Sequence, residues 1–309
     1  MDDRFDLVCL GEPMLEFNRQ PADDSAPRLY LEAHGGDTSN VAIAAARQGA
    51  RVAYLSAIGD DFGGQSFIDL WRRENIDASA VQIDAEHPTG MYFVSHDATG
   101  HHFSYLRRGS AASQYRLDEP GRRVVAASRY FFASGISLGI SDLAADAVFE
   151  AIALARQTGR TVAFDSNYRP KLWPKQRASA VIQEAMRHAD VVFPGLEDAQ
   201  ALFCLSDPDA IVDLYLTMGA KVVVLKMGSA GALLATPTSR ASVPPFPCRP
   251  VDATGAGDTF CGCFLACLAA GAALDEAARF AACAAALATT GYGAVAPIPS
   301  RVAVLQALG

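Results

Sequence analysis

Apolar residues along the chain fall into two alternating kinds of segment. Short runs rich in Val, Ile and Phe, typical of strands buried on both faces, occupy residues 7–10, 52–57, 128–133, 161–165, 191–193 and 221–226. Between them, apolar residues recur at helical spacing over residues 39–48, 64–74, 142–157, 175–188 and 208–218. Apolar strands that alternate with helices predict a three-layer α/β fold, in which helices cover both faces of a mostly parallel sheet.

Two N-terminal segments depart from this alternation. Within residues 12–33 and 88–108, apolar and polar residues alternate with the period of a strand, and neither segment contains a helical pattern. We expect the two segments to pair as a small antiparallel sheet, a lid inserted in a single domain over residues 1–309. The apolar run 260–274 is predicted to be one buried helix, because a bilayer span needs ~20 residues.

Composition narrows the class of protein. The 309 residues are 50% apolar, which suffices for one large α/β domain. A net charge of −8 argues against nucleic acid or an anionic membrane as a general partner. The acidic N-terminus lacks the basic region of a signal peptide, so we expect a cytoplasmic protein. The seven cysteines include no Cys-x-x-Cys pair, which indicates neither a metal site nor a redox role.

The sequence Asp-Ala-Thr-Gly-Ala-Gly-Asp over residues 252–258 precedes a long apolar run. The free N–H groups and the dipole of a helix that begins here form an anion site, and Gly255 and Gly257 let an anion approach the backbone closely. Asp258 would repel that anion if it were only a cap. Its simplest interpretation is a base that takes the proton of a substrate hydroxyl beside a phosphate being transferred. The alternative is a flexible loop before an ordinary acidic helix start.

A second pair of glycines, Gly35 and Gly36, precedes an alanine-rich helical pattern. If a polar ligand approaches the backbone there, Asp37 and Asn40 supply the directional hydrogen bonds that sugar hydroxyls require. The structural alternative is that Thr38 or Ser39 caps the helix.

Charged residues follow several of the predicted strands. Arg107 ends a predicted lid strand and Arg169 follows the strand at 161–165. Two guanidinium groups that meet in one cleft can bind a carboxylate, although such arginines are usually solvated surface charges. Glu197 follows a further strand, where it can reach a magnesium ion through water. The stretch Lys-Met-Gly-Ser-Ala-Gly over 226–231 is by itself typical of a hairpin turn.

Other patterns with chemical meaning are weaker. The chain has neither a P-loop nor Rossmann glycine spacing, and the Asp-Phe-Gly triplet at 61–63 is interpreted as a strand-to-helix turn. Ser137 lies in a Gly-x-Ser-x-Gly pattern, which is found in serine hydrolases, but the only histidine downstream of it is His188. A hydrolase and a sensor that binds without turnover stay open as alternatives to phosphoryl transfer.

Taken together, these motifs resemble the ribokinase-type sugar kinases, the family also named for a minor phosphofructokinase, over nearly the whole chain. Residues 252–258 are similar to the family's Asp-Thr-x-Gly-Ala-Gly-Asp signature. The resemblance implies a ribokinase-like fold with a β-sheet lid, Asp258 as the catalytic base, and an anion hole formed by Gly255, Ala256 and Gly257. The sugar-binding positions that it implies include Gly35, Gly36, Asp37, Asn40 and Asp252. The resemblance also implies that ATP binds together with Mg²⁺. The ATP-binding positions that it implies are Asn167, Lys226, Gly228, Ser229, Gly231, Gly255 and Gly257.

Within the family, Tyr105-x-Arg107, Asn167-x-Arg169 and the Leu-Trp pair at 172–173 resemble the 2-keto-3-deoxygluconate kinases. This implies phosphorylation of the 6-hydroxyl of a sugar acid, with Tyr105, Arg107 and Arg169 at the substrate. Fructokinases share the Asn-x-Arg and Leu-Trp elements, so a neutral-sugar kinase stays open. Pro194 stands where many members carry the Asn of Asn-x-x-Glu, which leaves Glu197 without that amide neighbour. A monovalent cation requirement and self-association through the lid are further expectations.

Overall fold

Strands and helices alternate along most of the computed structural model, which describes residues 3–20, 27–97 and 100–309. In chain order, the strands are β1 (Phe5–Leu10), β2 (Met14–Arg19), β3 (Tyr30–Gly35), β4 (Val52–Leu55), β5 (Ala57–Gly59), β6 (Ile76–Asp77), β7 (Gln82–Asp84), β8 (Gly90–Asp97), β9 (Gly100–Leu106), β10 (Ser128–Ser134), β11 (Thr161–Asp165), β12 (Val191–Phe193), β13 (Val222–Lys226), β14 (Ala232–Thr236) and β15 (Ser239–Val243). The helices are α1 (Asp37–Arg47), α2 (Phe62–Arg73), α3 (Glu119–Ala126), α4 (Gly135–Gly139), α5 (Asp142–Gln157), α6 (Lys175–Arg187), α7 (Leu196–Phe203), α8 (Pro208–Thr217), α9 (Ala256–Ala269), α10 (Leu274–Ala288) and α11 (Arg301–Leu308).

The main sheet has the strand order β15-β14-β13-β12-β11-β10-β1-β4-β6 in the described part of the chain. Strands β14 and β15 are antiparallel to their neighbours, and the remaining pairs are parallel. The predicted α/β class is therefore confirmed. Since β1 lies between β10 and β4, the order of strands reverses beside it, and the carboxyl ends of the strands there border a crevice that suits a ligand.

Both faces of the main sheet are buried. Phe131 and Phe164 lie in the apolar core against α5, α6 and α8, whereas Phe132 and Phe193 lie in the core against α1, α9 and α10. Successive side chains of one strand thus enter opposite cores, which explains why the predicted strands are apolar throughout. Within the described residues, every helix is too short or too polar to span a bilayer.

The run 260–274 is not one helix. Helix α9 ends at Ala269, Gly271 follows with a φ of 88°, and α10 starts at Leu274, because a glycine in the left-handed region ends a helix readily. Helix α9 packs closely on α1: a Cβ at Gly262 would overlap the backbone carbonyl of Val41. The two backbones can approach this closely only because Gly262 has no side chain.

The second, smaller sheet has the order β3-β2-β8-β9. Its outer pairs are antiparallel, but β2 and β8 run parallel, with Met14 opposite Gly90. The expectation of a wholly antiparallel sheet was wrong because both central strands leave the main body side by side in one direction. Residues 21–26 and 98–99 of the two predicted segments lie outside the described residues.

Candidate active site

A cleft of about 1110 Å³ lies between the small sheet and the carboxyl ends of the parallel strands. Most residues predicted to be functional line it together, although they come from distant parts of the sequence. They are Gly36, Asp37, Asn40, Tyr105, Arg107, Asn167, Arg169, Glu197, Lys226, Gly228, Ser229, Gly255, Gly257 and Asp258.

Four predicted residues are not among those that line the cleft. Ala256 opens α9 behind its glycine neighbours, and a Cβ at Gly35 would overlap the hydroxyl of Tyr92. Gly231 has a φ of 87° in the hairpin turn between β13 and β14. The carboxylate of Asp252 accepts hydrogen bonds from the backbone N–H groups of Thr254 and Gly293, both at 2.9 Å, and thereby joins the loop before α9 to the loop after α10. Its predicted contact with a substrate is therefore not supported by its position.

The N-terminus of α9 faces the cleft without a side-chain cap. Gly255 occupies the N-cap position with a φ of 75°. Because glycine has no side chain, it leaves the free N–H groups of the first turn without a hydrogen-bond partner from the cap. A Cβ at Gly257 would lie 3.5 Å from Nζ of Lys226, so the absent side chain leaves a gap between the helix start and this ammonium group. Free N–H donors, a helix dipole and an adjacent cation together favour an anion in that gap.

Asp258 lies in the first turn of α9, half-buried in the cleft wall. Its Oδ2 accepts a hydrogen bond of 2.8 Å from Nδ2 of Asn40 on α1. Burial raises the pKa of Asp258 to about 7, and the negative charges of Asp37 and Asp165 raise it as well. The hydrogen bond from Asn40 and the positive charge of Lys226 lower this pKa but do not outweigh the other effects. A carboxylate with a pKa near neutrality is suited to accept a proton at physiological pH.

Two buried side chains beside Asp258 each keep an unused acceptor atom. Oδ2 of Asp37 accepts hydrogen bonds from Oγ of Ser134 and, at 3.0 Å, from Nδ2 of Asn167, while Oδ1 of Asp37 has no partner in the described structure. Oδ1 of Asn40 likewise has none. A buried acceptor without a partner costs about 1–3 kcal/mol, so these atoms are suited to ligand hydroxyl groups.

The start of α1 differs from the structural alternative considered for it. Gly36 occupies the N-cap position with a φ of 101°, and neither Thr38 nor Ser39 caps the helix. Thr38 instead shares a hydrogen bond with the Tyr54 hydroxyl, and Ser39 accepts one from the indole of Trp71. Both hydroxyl groups are used in the core, which the local sequence does not reveal.

Lys226 forms an ion pair with Asp165. Asp165 is not among the site residues predicted from the sequence. Burial alone would lower the pKa of Lys226, but the Asp165 carboxylate outweighs it and holds the pKa above its ordinary value. Asn167, two residues after Asp165, has a φ of 30° and donates its backbone N–H to that carboxylate at 3.1 Å. The position of Asp165 at a strand end was the available signal.

The two arginines of the cleft have different partners. Arg107 forms an ion pair with Glu12, a buried residue just after β1 that the sequence analysis also did not assign. The guanidinium of Arg169 is exposed and donates a hydrogen bond of 3.0 Å to the backbone carbonyl of Tyr168. The predicted pair of arginines is therefore present in one cleft, with one of its two charges already matched.

Glu197 is exposed in the first turn of α7, at the rim of the cleft. Among the residues that the structure describes, no group of three or more His, Cys, Asp or Glu side chains is arranged to hold a metal ion. A magnesium ion near Glu197 would therefore take most of its ligands from water and from phosphate oxygens, as Mg²⁺ commonly does.

The hydrolase alternative lacks its constellation. Ser137 is fully buried and donates a hydrogen bond of 3.1 Å to the carbonyl of Leu10. It follows β10, at the carboxyl edge of the sheet, whereas His188 precedes β12 at the opposite edge and contacts Glu184. A serine without a nearby base is not activated as a nucleophile.

The family profile described as "pfkB family carbohydrate kinase" matches residues 4–301. The chain is 32% identical to the 2-dehydro-3-deoxygluconokinase of Thermoproteus tenax over 95% of its own length and 91% of that protein. It is also 30% identical to the probable fructokinase-4 of Arabidopsis thaliana, over 98% of the chain and 96% of that protein. A solved fructokinase with bound ATP from Xylella fastidiosa superposes with a TM-score of 0.90 at 26% identity, covering 99% of this chain and 98% of that one.

Proposed function

We propose, from the premise that the chain belongs to the pfkB family of carbohydrate kinases, that its phosphoryl acceptor is the 6-hydroxyl of 2-keto-3-deoxygluconate. Family membership makes it a phosphotransferase that acts on an alcohol group, and its fold is ribokinase-like. The donor in this proposal is ATP, and the product is 2-keto-3-deoxy-6-phosphogluconate.

The observation that carries the proposal is the presence of Arg107 and Arg169 in the same cleft as Asp258. A guanidinium group binds a carboxylate with two directed hydrogen bonds, and the proposed substrate has a carboxylate where neutral sugars have none. The name of the Thermoproteus tenax relative agrees with this substrate. Fructose is the second candidate, because Arg107 already has Glu12 as a partner and the Arabidopsis relative is named a fructokinase.

In the proposed reaction, Asp258 takes the proton from the 6-hydroxyl as the oxygen attacks the γ-phosphate of ATP. The bond from the γ-phosphorus to the oxygen that bridges it to the β-phosphate breaks, and ADP leaves. Asp37 and Asn40 accept hydrogen bonds from other hydroxyl groups of the sugar and fix its position relative to Asp258. The free N–H groups around Gly255 and Gly257 stabilise the negative charge that develops on the transferred group. These contributions are positional and electrostatic, as is usual for phosphoryl transfer.

The nucleotide side of the cleft fits a polyphosphate. The gap at Gly257 adjoins Lys226, and the exposed Gly228 and Ser229 border the same side. We infer that these residues hold ATP, that Gly231 shapes the turn that presents them, and that Glu197 holds Mg²⁺ through water. When bound, Mg²⁺ supplies neutralisation of phosphate charge. A nucleotide contact from Asn167 stays a prediction, since its Nδ2 is used by Asp37.

We further propose that the small sheet acts as a lid inserted in one domain. Strand β9 leads directly into Arg107, so a movement of this sheet would move a substrate-binding side chain. A lid of this kind excludes water, which would otherwise compete as the acceptor. Self-association through the lid stays a prediction. Light scattering tests it by measuring the molar mass of the protein with and without substrate.

A coupled assay of ADP release tests the proposal. The panel contains 2-keto-3-deoxygluconate, its galactonate epimer, fructose, ribose and adenosine, each with Mg²⁺, with EDTA, and with potassium or a large organic cation. We expect the highest kcat/KM with one of the two sugar acids and no turnover with EDTA. A higher kcat/KM with fructose would replace the sugar acid by the second candidate, and binding without ADP release would indicate a sensor.

A further inference from the structure

Glu12 is a buried carboxylate behind the wall of the cleft, where it contacts Arg107, one of the residues that line it. Its side chain has no exposed surface, and it contacts the Arg107 guanidinium and, at 2.6 Å, the hydroxyl of Ser110. A Cβ at Gly90 would lie 2.8 Å from Oε1 of Glu12. The carboxylate is thus held where the chain enters the small sheet at Gly90 and where it leaves it at Arg107.

The ion pair leaves hydrogen-bond donors on Arg107 but matches its charge. A guanidinium carries five N–H groups, and Nε of Arg107 is buried without a partner in the described structure. A ligand in the cleft can therefore receive hydrogen bonds from Arg107. A ligand carboxylate, however, would share the guanidinium with the carboxylate of Glu12, and the two negative charges repel each other.

Arg169 is placed differently. It borders the same cleft and is exposed, and within the described part of the chain no carboxylate lies within ion-pair distance of it. Arg169 thus offers a charge that is not already matched, whereas Arg107 offers a fixed set of donors.

We propose that Glu12 is a specificity-determining residue, which limits the preference of the cleft for acids by neutralising Arg107. The inference rests on the proposed function, because it concerns how the site selects sugar acids over neutral sugars. In this arrangement Arg169 attracts the carboxylate of the substrate. The Glu12–Arg107 pair contributes shape and hydrogen bonds, and it keeps the cleft from binding every small anion tightly.

Replacing Glu12 by glutamine tests the proposal, since glutamine keeps the size and one acceptor oxygen but removes the charge. We expect the ratio of kcat/KM for 2-keto-3-deoxygluconate to kcat/KM for fructose to rise about tenfold in Glu12→Gln, through a lower KM for the acid. The sugar acid should also raise the Tm of this variant more than that of the wild type, because it supplies the missing negative charge.

Glu74→Gln is the matched control. Glu74 is partly buried and pairs with Arg47 at 2.7 Å, and Arg47, unlike Arg107, is not among the residues that line the cleft. Loss of that pair should lower Tm while leaving the substrate ratio unchanged. If Glu12→Gln behaves in the same way, Glu12 is structural and the proposal is overturned.

A second pair of variants covers the case in which Glu12→Gln does not fold. Arg107→Ala leaves the Glu12 carboxylate without its cationic partner near the substrate, so KM for the sugar acid should rise more than KM for fructose. Adding Glu12→Gln to that variant removes the repulsion and should restore most of the acid-specific loss. No restoration would overturn the proposal. Wild-type protein that phosphorylates fructose but no sugar acid would instead overturn the proposed function itself, and this inference with it.

Discussion

Replacing Asp258 by asparagine is expected to abolish most turnover and, at alkaline pH, to make the protein more stable. The pKa of Asp258 is raised from 3.8 to about 7, chiefly by burial. One pKa unit corresponds to about 1.4 kcal/mol, so ionising this carboxyl in the folded protein would cost ~4 kcal/mol at most. Because the group lies half-exposed at the cleft, water reduces that cost, and we expect about 1–3 kcal/mol.

The sign of the pH dependence follows from which state holds the proton. Between about pH 4 and pH 7 the unfolded chain has released the Asp258 proton while the folded chain still binds it, so the free energy of unfolding falls as pH rises. Above about pH 7 both states are ionised and the cost is constant. Asparagine has no such cost, and its amide oxygen can still accept the hydrogen bond from Asn40.

Urea unfolding of both proteins without substrates at pH 5 and pH 8 measures this cost. The difference in free energy of unfolding, variant minus wild type, should be larger at pH 8 by about 1–2 kcal/mol, because part of the cost is already present at pH 5. On the same samples, kcat should fall ~10²–10⁴-fold, the usual contribution of a general base. An equal difference at both pH values would refute a raised pKa, and near-normal turnover would refute the role as base.

Asp61→Asn provides the control. Burial would raise the pKa of Asp61, but backbone N–H groups of Thr89 and Gly64 outweigh it and hold the pKa below its ordinary value. Its stabilising contribution is therefore fully present at both pH 5 and pH 8 and would be lost only in stronger acid. This variant should lose the same stability at both pH values, so a pH-dependent difference confined to Asp258→Asn reports its own titration.

Three further predictions concern residues that line the cleft or contact a residue that does. Gly257→Ala should leave the free energy of unfolding unchanged or raise it by up to about 1 kcal/mol, because alanine favours a helix. The kcat with ATP should nevertheless fall, since the added methyl group enters the gap beside Lys226. A normal kcat with ATP would refute an anion site there. Asp165→Asn removes the partner of Lys226 and should raise KM for ATP about tenfold or more while changing KM for the sugar less. A larger change in KM for the sugar than in KM for ATP would contradict the proposed role of Lys226 in ATP binding. Arg169→Ala should raise KM for a sugar acid at least ~10-fold with little change for fructose; equal effects on both would exclude a carboxylate contact.

Much of the fold could be predicted because local sequence and tertiary position agree. Helix α5 was predicted with its observed bounds, since Ser141 caps its start, its apolar spacing is regular, and Gly159 follows its end with a φ of 73°. The location of the cleft was also predictable. Polar residues after several parallel strands meet at one edge of the sheet, whichever sequence distance separates them.

What could not be predicted was the partner of each polar group. Glu12 and Asp165 each follow a strand, as the assigned residues do, but their pairing with Arg107 and Lys226 joins positions that only the folded chain brings together. The same holds for Thr38 and Ser39, which local preference assigns to a cap and the core uses otherwise. The parallel pairing of β2 with β8 likewise depends on where the two strands leave the main body.

The close contact between Gly262 and Val41 has a consequence for how this enzyme can evolve. Helices α1 and α9 carry Asn40 and Asp258, so the separation of the proposed sugar-binding group from the proposed base is set by how closely the two backbones pack. A larger side chain at position 262 would push these helices apart and change the alignment of hydroxyl and carboxylate without contacting any substrate. New sugar specificity is therefore more accessible through loops and the small sheet, whose residues can vary while the interhelical spacing is kept.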